Sequence, residues 1–297
     1  MSLSRHRPLV AALATTLATA LALPGCNIVF HSAPAEADAV TAAADASPDA
    51  MPGTKRIDLK FSNAQDTQRQ GEDPSVSNDA LDLWYTVITT PTDRDIHHAQ
   101  RPSTDALFST GSQLNINTGM NDLDGALTDD QLFVTFATNI VDPQNGYTIN
   151  QAKRTNPAEN FELAKPTSVV IPFFYGYDAS PDGLQIFFID NSDIKSKTRP
   201  SRDALLFADG PTARVLDPEV THPTVSFDRL ELVYPSSDRT HLLRALLSPD
   251  GTQYGPPQPF DVGGNCNSIS DPDFSPNAML LAFTCDGKIY FASRPPA

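Results

Sequence analysis

Apolar side chains recur at alternate positions in five short runs of the chain, each opened by a serine or threonine. Taking Ser77, Thr128, Ser180, Ser226 and Ser275 as anchors, hydrophobic residues stand four, six and eight positions on. The first copy has Leu81, Leu83 and Tyr85; the last has Met279, Leu281 and Phe283. A period of two predicts strands with one face buried. Two residues after each anchor comes Asp79, Asp130, Asp182, Asp228 or Asn277, side chains that close tight turns by bonding nearby backbone N–H groups. A further strand is predicted to begin at Ile96, Ile149, Ile194, Leu242 and Ile289. It is closed five residues later by Arg101, Arg154, Arg199 and Arg294, with Leu247 in the remaining copy. The anchors recur at intervals of 46 to 52 residues, the length of one four-stranded propeller blade.

The pattern therefore predicts an all-β domain over residues 54–297, a single five-bladed β-propeller. Residues 55–61 alternate Ile57, Leu59 and Phe61 with polar positions and precede the first anchor. The last repeat ends without an outer strand, so residues 55–61 are expected to supply it, closing the ring and removing an exposed edge. A loose surface strand is the other reading of that stretch. Other outer strands are sought within residues 105–114, 160–165, 204–208 and 258–262. The apolar, aromatic stretch 168–177 is expected to form the inner strand of the third blade and its approach, an exposed aromatic patch being the alternative.

The run Ser180-Pro181-Asp182-Gly183-Leu184-Gln185-Ile186-Phe187-Phe188, and the stretch from Asp271 to Asn277, resemble the WD40-like repeat of TolB-type propellers. The resemblance spans residues 55–297 and implies a periplasmic propeller with a part in cell-envelope complexes. TolB-type propellers have six blades, which leaves six as the alternative to the five anchors counted here.

Ahead of the repeats, Arg5 and Arg7 precede an apolar run over residues 9–23 that is too short for a comfortable membrane span. Leu23-Pro24-Gly25-Cys26 follows and resembles a bacterial lipobox. Residues 1–25 then read as a lipoprotein signal peptide, excluded from the fold, with Cys26 as the lipid attachment point. An ordinary secretory signal is the alternative. Several acyl chains would hold the protein on a membrane where one would not. Residues 26–53, rich in Ala, Asp and Pro, read as a spacer. Asn27 after the cysteine suggests the outer rather than the inner membrane, facing the periplasm or the exterior.

Charge narrows the partners. With 36 acidic and 21 basic residues the formal charge is −15, which excludes nucleic-acid binding through phosphate neutralisation. Of three cysteines, Cys266 and Cys285 remain after Cys26. Both fall in the last repeat, where they can pair as a disulfide or stay free and buried. Four residues before the anchor, Asp73, Asp124 and Asp271 recur as candidate acids of the central channel, with Gly176 and His222 in the other copies. Three carboxyls in a channel suggest glycoside chemistry. Their repeat symmetry argues instead for a structural job as acceptors at strand ends. Residues 122–130 lack the ligand spacing of a calcium loop, and His97, His98, His222 and His241 lack metal spacing and read as surface or loop positions. No metal, cofactor or catalytic residue is expected. The sequence thus points to a non-enzymatic module binding a protein or peptide in the cell envelope, with a glycan-binding or carbohydrate-active propeller as runner-up.

Overall fold

The computed structural model describes residues 61–90, 93–139, 146–171, 176–191, 193–263 and 266–295. The signal segment, Cys26, the spacer and residues 55–60 lie outside them. Among the described residues there is no helix, and the strands form five sheets, antiparallel but for one parallel pair.

Blade 1 comprises Glu72–Val76, Asp82–Thr90, Asp93–Gln100 and Ser112–Gln113. Blade 2 comprises Asp122–Leu127, Phe133–Thr138, Tyr147–Lys153 and Lys165–Ile171. Blade 3 runs through Tyr177–Ala179, Gln185–Asp190 and Asp193–Thr198, and its third strand pairs with both Ala208–Asp209 and Ala213–Val215. Blade 4 holds Thr224–Val225, Glu231–Pro235, Leu242–Leu246 and Gln258–Phe260. It also lends Gln253–Tyr254 to blade 3 as a parallel strand. Blade 5 holds Ile269–Phe274, Leu280–Cys285 and Lys288–Ser293. Inner strands touch in the order 1-2-3-4-5-1, so the sheets stand in a closed ring: a five-bladed β-propeller.

The outer strand of blade 5 is Ser62–Gln70, which runs antiparallel to Lys288–Ser293 with Ser62 opposite Ser293 and Gln70 opposite Lys288. The N-terminus closes the ring, as the sequence predicts, but with the residues just after the expected stretch. Only Phe61 of that stretch is described, buried against Phe260 and Phe274. The closing strand is mostly exposed and is held by the backbone ladder and by Thr67, whose hydroxyl donates to the Ile289 carbonyl at 2.7 Å.

Each anchor builds the same turn. In blade 1, Ser77 Oγ donates to Asp79 Oδ1 at 2.6 Å and accepts from the Asp82 N–H at 3.0 Å, while Asp79 Oδ1 accepts from the Leu81 N–H. The other four blades repeat the Ser/Thr–Asp/Asn contact. Blade 4 uses it twice more, at Ser236–Asp238 and Ser248–Asp250, copies the anchor spacing does not reveal. Three residues past the anchor the chain turns left-handed at Ala80, Gln131, Gly183, Arg229 and Ala278. The arginine column caps this turn: Arg101, Arg154 and Arg199 donate through Nε to the carbonyls of Ala80, Gln131 and Gly183. Their guanidinium planes lie 4.4–4.8 Å from the rings of Phe108, Phe161 and Phe207, and Arg294 lies 4.3 Å from Phe61. Phe61 thus gives blade 5 the aromatic that each earlier arginine finds in its own blade.

The outer strands of blades 1 and 4 fall within residues 105–114 and 258–262 as expected, whereas those of blades 2 and 3 depart from the sequence reading. Residues 160–165 contribute only Lys165 to the blade 2 edge, and Ser168 to Ile171 continue that edge instead of opening blade 3. Residues 172–175 are outside the described set, and the blade 3 inner strand begins at Tyr177. Burial alternates along the blade 2 edge at Thr167, Val169 and Ile171, but the exposed Val170 between them is apolar too, so residue type does not mark the alternation.

Candidate functional site: the axial channel

Asp73, Asp124 and Asp271 do not sit at strand ends, as expected for turn acceptors. They lie within inner strands at bulges, where register shifts fall between Glu72 and Ser75, Leu123 and Ala126, and Ser270 and Asp273. All five equivalent residues are left-handed: Asp73 (φ 47°), Asp124 (51°), Gly176 (87°), His222 (43°) and Asp271 (49°). Asp and Gly tolerate this region best. Proline follows at Pro74, Pro223 and Pro272, placed where the bulge needs no ladder N–H. One structural device, repeated around the ring, therefore aims one side chain per blade at the axis. At Gly176 a Cβ would stand 2.7 Å from His222 Cα, so this blade has no room for the aspartate its siblings carry.

These five residues, with all but Thr224 of the ones two positions further on, line an axial cavity of about 40 Å³. The second ring comprises Ser75, Ala126, Asp178, Thr224 and Asp273. Asp178 and Asp273 are acids the sequence reading misses. They occupy the anchor-minus-two column, where only ring closure gives two aspartates in different blades a common address. His222, read as a surface or loop histidine, is half-buried in this channel. His98 is also misread: it lies in a blade 1 strand, stacks on Trp84 with ring centroids 4.9 Å apart, and contacts Asp82 Oδ1 through Nε2 at 2.8 Å.

On the face opposite the anchor turns the channel widens into a vestibule of about 360 Å³. Asp73, His222 and Asp271 belong to both spaces and form the neck between them. Arg94, Tyr147 and Arg239 stand around the vestibule, with Ser268, Ser270 and Thr284 on its blade 5 side. The closing strand starts beside Ser293, at the anchor-turn end of blade 5, so the chain joins the ring on the face away from the vestibule.

The acids share a strained electrostatic setting. Burial, reinforced by the charges of Asp124 and Asp271, pushes the Asp73 carboxyl far above the usual carboxylate range. Burial lifts Asp124 to about 7 and Asp178 to about 6, and holds Asp273 well up. The neighbouring Asp124 carboxyl thus adds to the rise that burial imposes on Asp73. Asp178 Oδ2 accepts from the Val225 N–H at 2.9 Å and from Thr224 Oγ1 at 3.1 Å, tying blade 3 to blade 4. Tyr177 Oη donates to the Asp124 carbonyl at 2.7 Å, tying blade 3 to blade 2. Burial lowers His222 and keeps the imidazole neutral near pH 7. No group of three or more His, Cys, Asp or Glu side chains among the described residues is arranged to hold a metal ion.

Cys266 and Cys285 are joined by a disulfide with Cα atoms 5.5 Å apart. It fastens the segment before the blade 5 inner strand to the strand that carries Thr284, and so braces one side of the vestibule.

No protein-family model matches the chain, and no curated protein matches it in sequence. Solved structures do. A GH43_1 enzyme from Xanthomonas citri aligns at 15% identity and a TM-score of 0.53, over 77% of this chain and 89% of that one. TolB from Acinetobacter baumannii aligns at 14% identity and a TM-score of 0.40, over 76% of this chain and 54% of TolB. The periplasmic gluconolactonase of Pseudomonas aeruginosa aligns at 12% identity and a TM-score of 0.40, over 75% and 66%. The chain spans about half of that TolB and about two thirds of the gluconolactonase. At these identities the likeness extends to the fold, and the chain has the fold of a five-bladed β-propeller.

Proposed function

We propose that this protein is a lipid-anchored propeller of the bacterial cell envelope that binds a protein or peptide at the vestibule and does no chemistry on it. The observation that carries the reading is the change in width along the axis. A vestibule of about 360 Å³ falls in the range of small-ligand pockets and accepts a short stretch of chain. The neck at Asp73, His222 and Asp271 leads only to about 40 Å³, space for a few water-sized groups and not for a sugar ring. A glycosidase needs two carboxyls about 5–10 Å apart across its substrate. Here Asp73 and Asp124 instead line one narrow cavity, where burial raises both carboxyls. That disfavours the GH43-like reading, although such enzymes share the fold.

The envelope address rests on the lipobox at Cys26. The test is a peptide-display selection against the full-length protein. Selected peptides should lose binding to a Tyr147→Ala/Arg239→Ala variant, and Cys26→Ser should move the protein to the soluble fraction with its peptide binding intact. Peptides that bind the double variant equally well, or turnover of aryl glycosides by the wild type, would count against the reading.

A further inference from the structure

We propose that the group recognised at the neck of the channel is an alkylammonium, such as a lysine side chain of the bound peptide, seated between Asp73 and Asp271. This rests on the vestibule being the binding site and specifies what enters it. The first ground is charge. Asp73 and Asp271 stand at the inner end of the vestibule, which Glu72 also lines, and Asp124, Asp178 and Asp273 line the cavity beyond. The cations nearby are Arg94, which is 3.5 Å from Glu72, and Arg239 on the exposed rim. Six carboxyls therefore face two guanidinium groups and a histidine held neutral by burial. Among the described residues no cation of the protein reaches the aspartates of the neck.

The second ground is an orphaned hydroxyl. Thr284 Oγ1, on the vestibule wall, is buried and makes no hydrogen bond among the described residues. A buried hydroxyl without a partner destabilises the fold, and a polar group arriving with a ligand would relieve that. The third ground is size. A primary ammonium is close to water in volume and has three donors, which suits a neck opening on about 40 Å³ between carboxylates of two blades. A guanidinium is wider and flat. A metal ion is disfavoured because the described carboxyls do not converge as ligands.

A cation entering here stabilises ionised carboxylates, so it drives off protons that burial now holds on Asp73 and Asp124. Binding should release protons and strengthen as pH rises from about 5.5 to 7.5, bracketing the value of about 7 for Asp124.

The probes are Nα-acetyl-lysine methylamide, its Nε-acetylated form and spermidine, each titrated calorimetrically into the full-length protein in two buffers of different ionisation enthalpy. The lysine probe should bind with proton release, and Nε-acetylation should weaken it at least about tenfold, a loss of about 1.4 kcal/mol. Tighter binding of the lysine probe than of spermidine assigns the site to a peptide side chain; the reverse order assigns it to free polyamines. Asp271→Asn keeps a residue suited to the left-handed backbone and should weaken either amine about tenfold, whereas Asp250→Asn, in an exposed turn, should not. Equal binding of the acetylated probe, absence of proton release, or binding of calcium with no binding of amines would overturn the assignment. The acetylation and proton-release arms use only the wild type, so they decide the matter even if Asp271→Asn fails to fold. Selected peptides that need the vestibule but no ammonium would overturn this inference and leave the reading of a peptide-binding vestibule intact.

Discussion

Tyr254 Oη donates to the carbonyl of Arg229 at 2.9 Å, and so does in blade 4 what an arginine does in blades 1 to 3. Arg229 is the left-handed turn residue of its blade, equivalent to Ala80, Gln131 and Gly183. Blade 4 has Leu247 in the arginine column, and the donor arrives from a strand that pairs with blade 3. The same carbonyl is satisfied from a different place in the chain. Tyr254 is fully buried, so Tyr254→Phe removes the donor without opening a cavity. It should cost about 1–3 kcal/mol, the usual loss when a buried acceptor is stranded. A shift in the urea midpoint at unchanged slope measures it. Unaltered stability would mean the turn draws its donor from water.

Glu231 and Arg294 form an ion pair in which neither side chain is exposed, and Arg244 Nη2 lies 3.2 Å from the same Glu231 oxygen. Glu231 opens the second strand of blade 4 and Arg294 closes the third strand of blade 5, so the pair crosses the seam beside the closing strand. Glu231→Gln leaves two guanidinium groups near one neutral amide. The expected loss is about 3–5 kcal/mol, as for other buried pairs broken from one side. Guanidinium chloride would screen the effect, so urea unfolding is the measurement to make.

The channel carboxyls carry a pH signature of defined sign. Asp124 and Asp178 bind protons more tightly folded, at about 7 and about 6, than an ordinary aspartate, near 3.8, does in the unfolded chain. Their contribution is fully favourable below about pH 4 and is lost as pH climbs through 6 to 7. Asp82, Asp130 and Asp238 act in the opposite sense. Burial raises the first two, but hydrogen bonds to His98 and to Thr128, respectively, outweigh it; at Asp238 the Ser236 hydroxyl leads a lowering to about 2. Those three favour the fold above pH 4 and lose that as pH falls. The two sets are separated by comparison: Asp124→Asn should flatten the decline of melting temperature between pH 5 and 8 and leave the acid limb unchanged. A variant parallel to wild type throughout would show that Asp124 does not titrate in this range.

The Cys266–Cys285 disulfide spans 19 residues at the blade that closes the ring. A loop of that length is expected to contribute about 3 kcal/mol through the unfolded chain. Reduction should therefore lower stability by that order. Because the bridge braces the vestibule wall near Thr284, it should also weaken ligands of the mouth more than it perturbs the far blades. Hydrogen exchange, resolved by blade, distinguishes a local loosening of residues 266–285 from a general one.

The amino-acid sequence by itself determined the repeating unit and its number. Period-two runs behind Ser77, Thr128, Ser180, Ser226 and Ser275 arise because every second strand residue must pack against the next blade, and the Ser–Asp turn is a local bond between neighbours in the chain. The arginine column and the acids Asp73, Asp124 and Asp271 were legible for the same reason. Only the tertiary structure decided which strand closes the ring, since Ser62–Gln70 is polar, mostly exposed and held by main-chain bonds that leave no mark on side-chain choice. It alone gathered His222, Asp178 and Asp273 into one channel. Those residues come from three blades and from two different columns of the repeat, and their burial, on which their chemistry depends, exists only once the ring is shut.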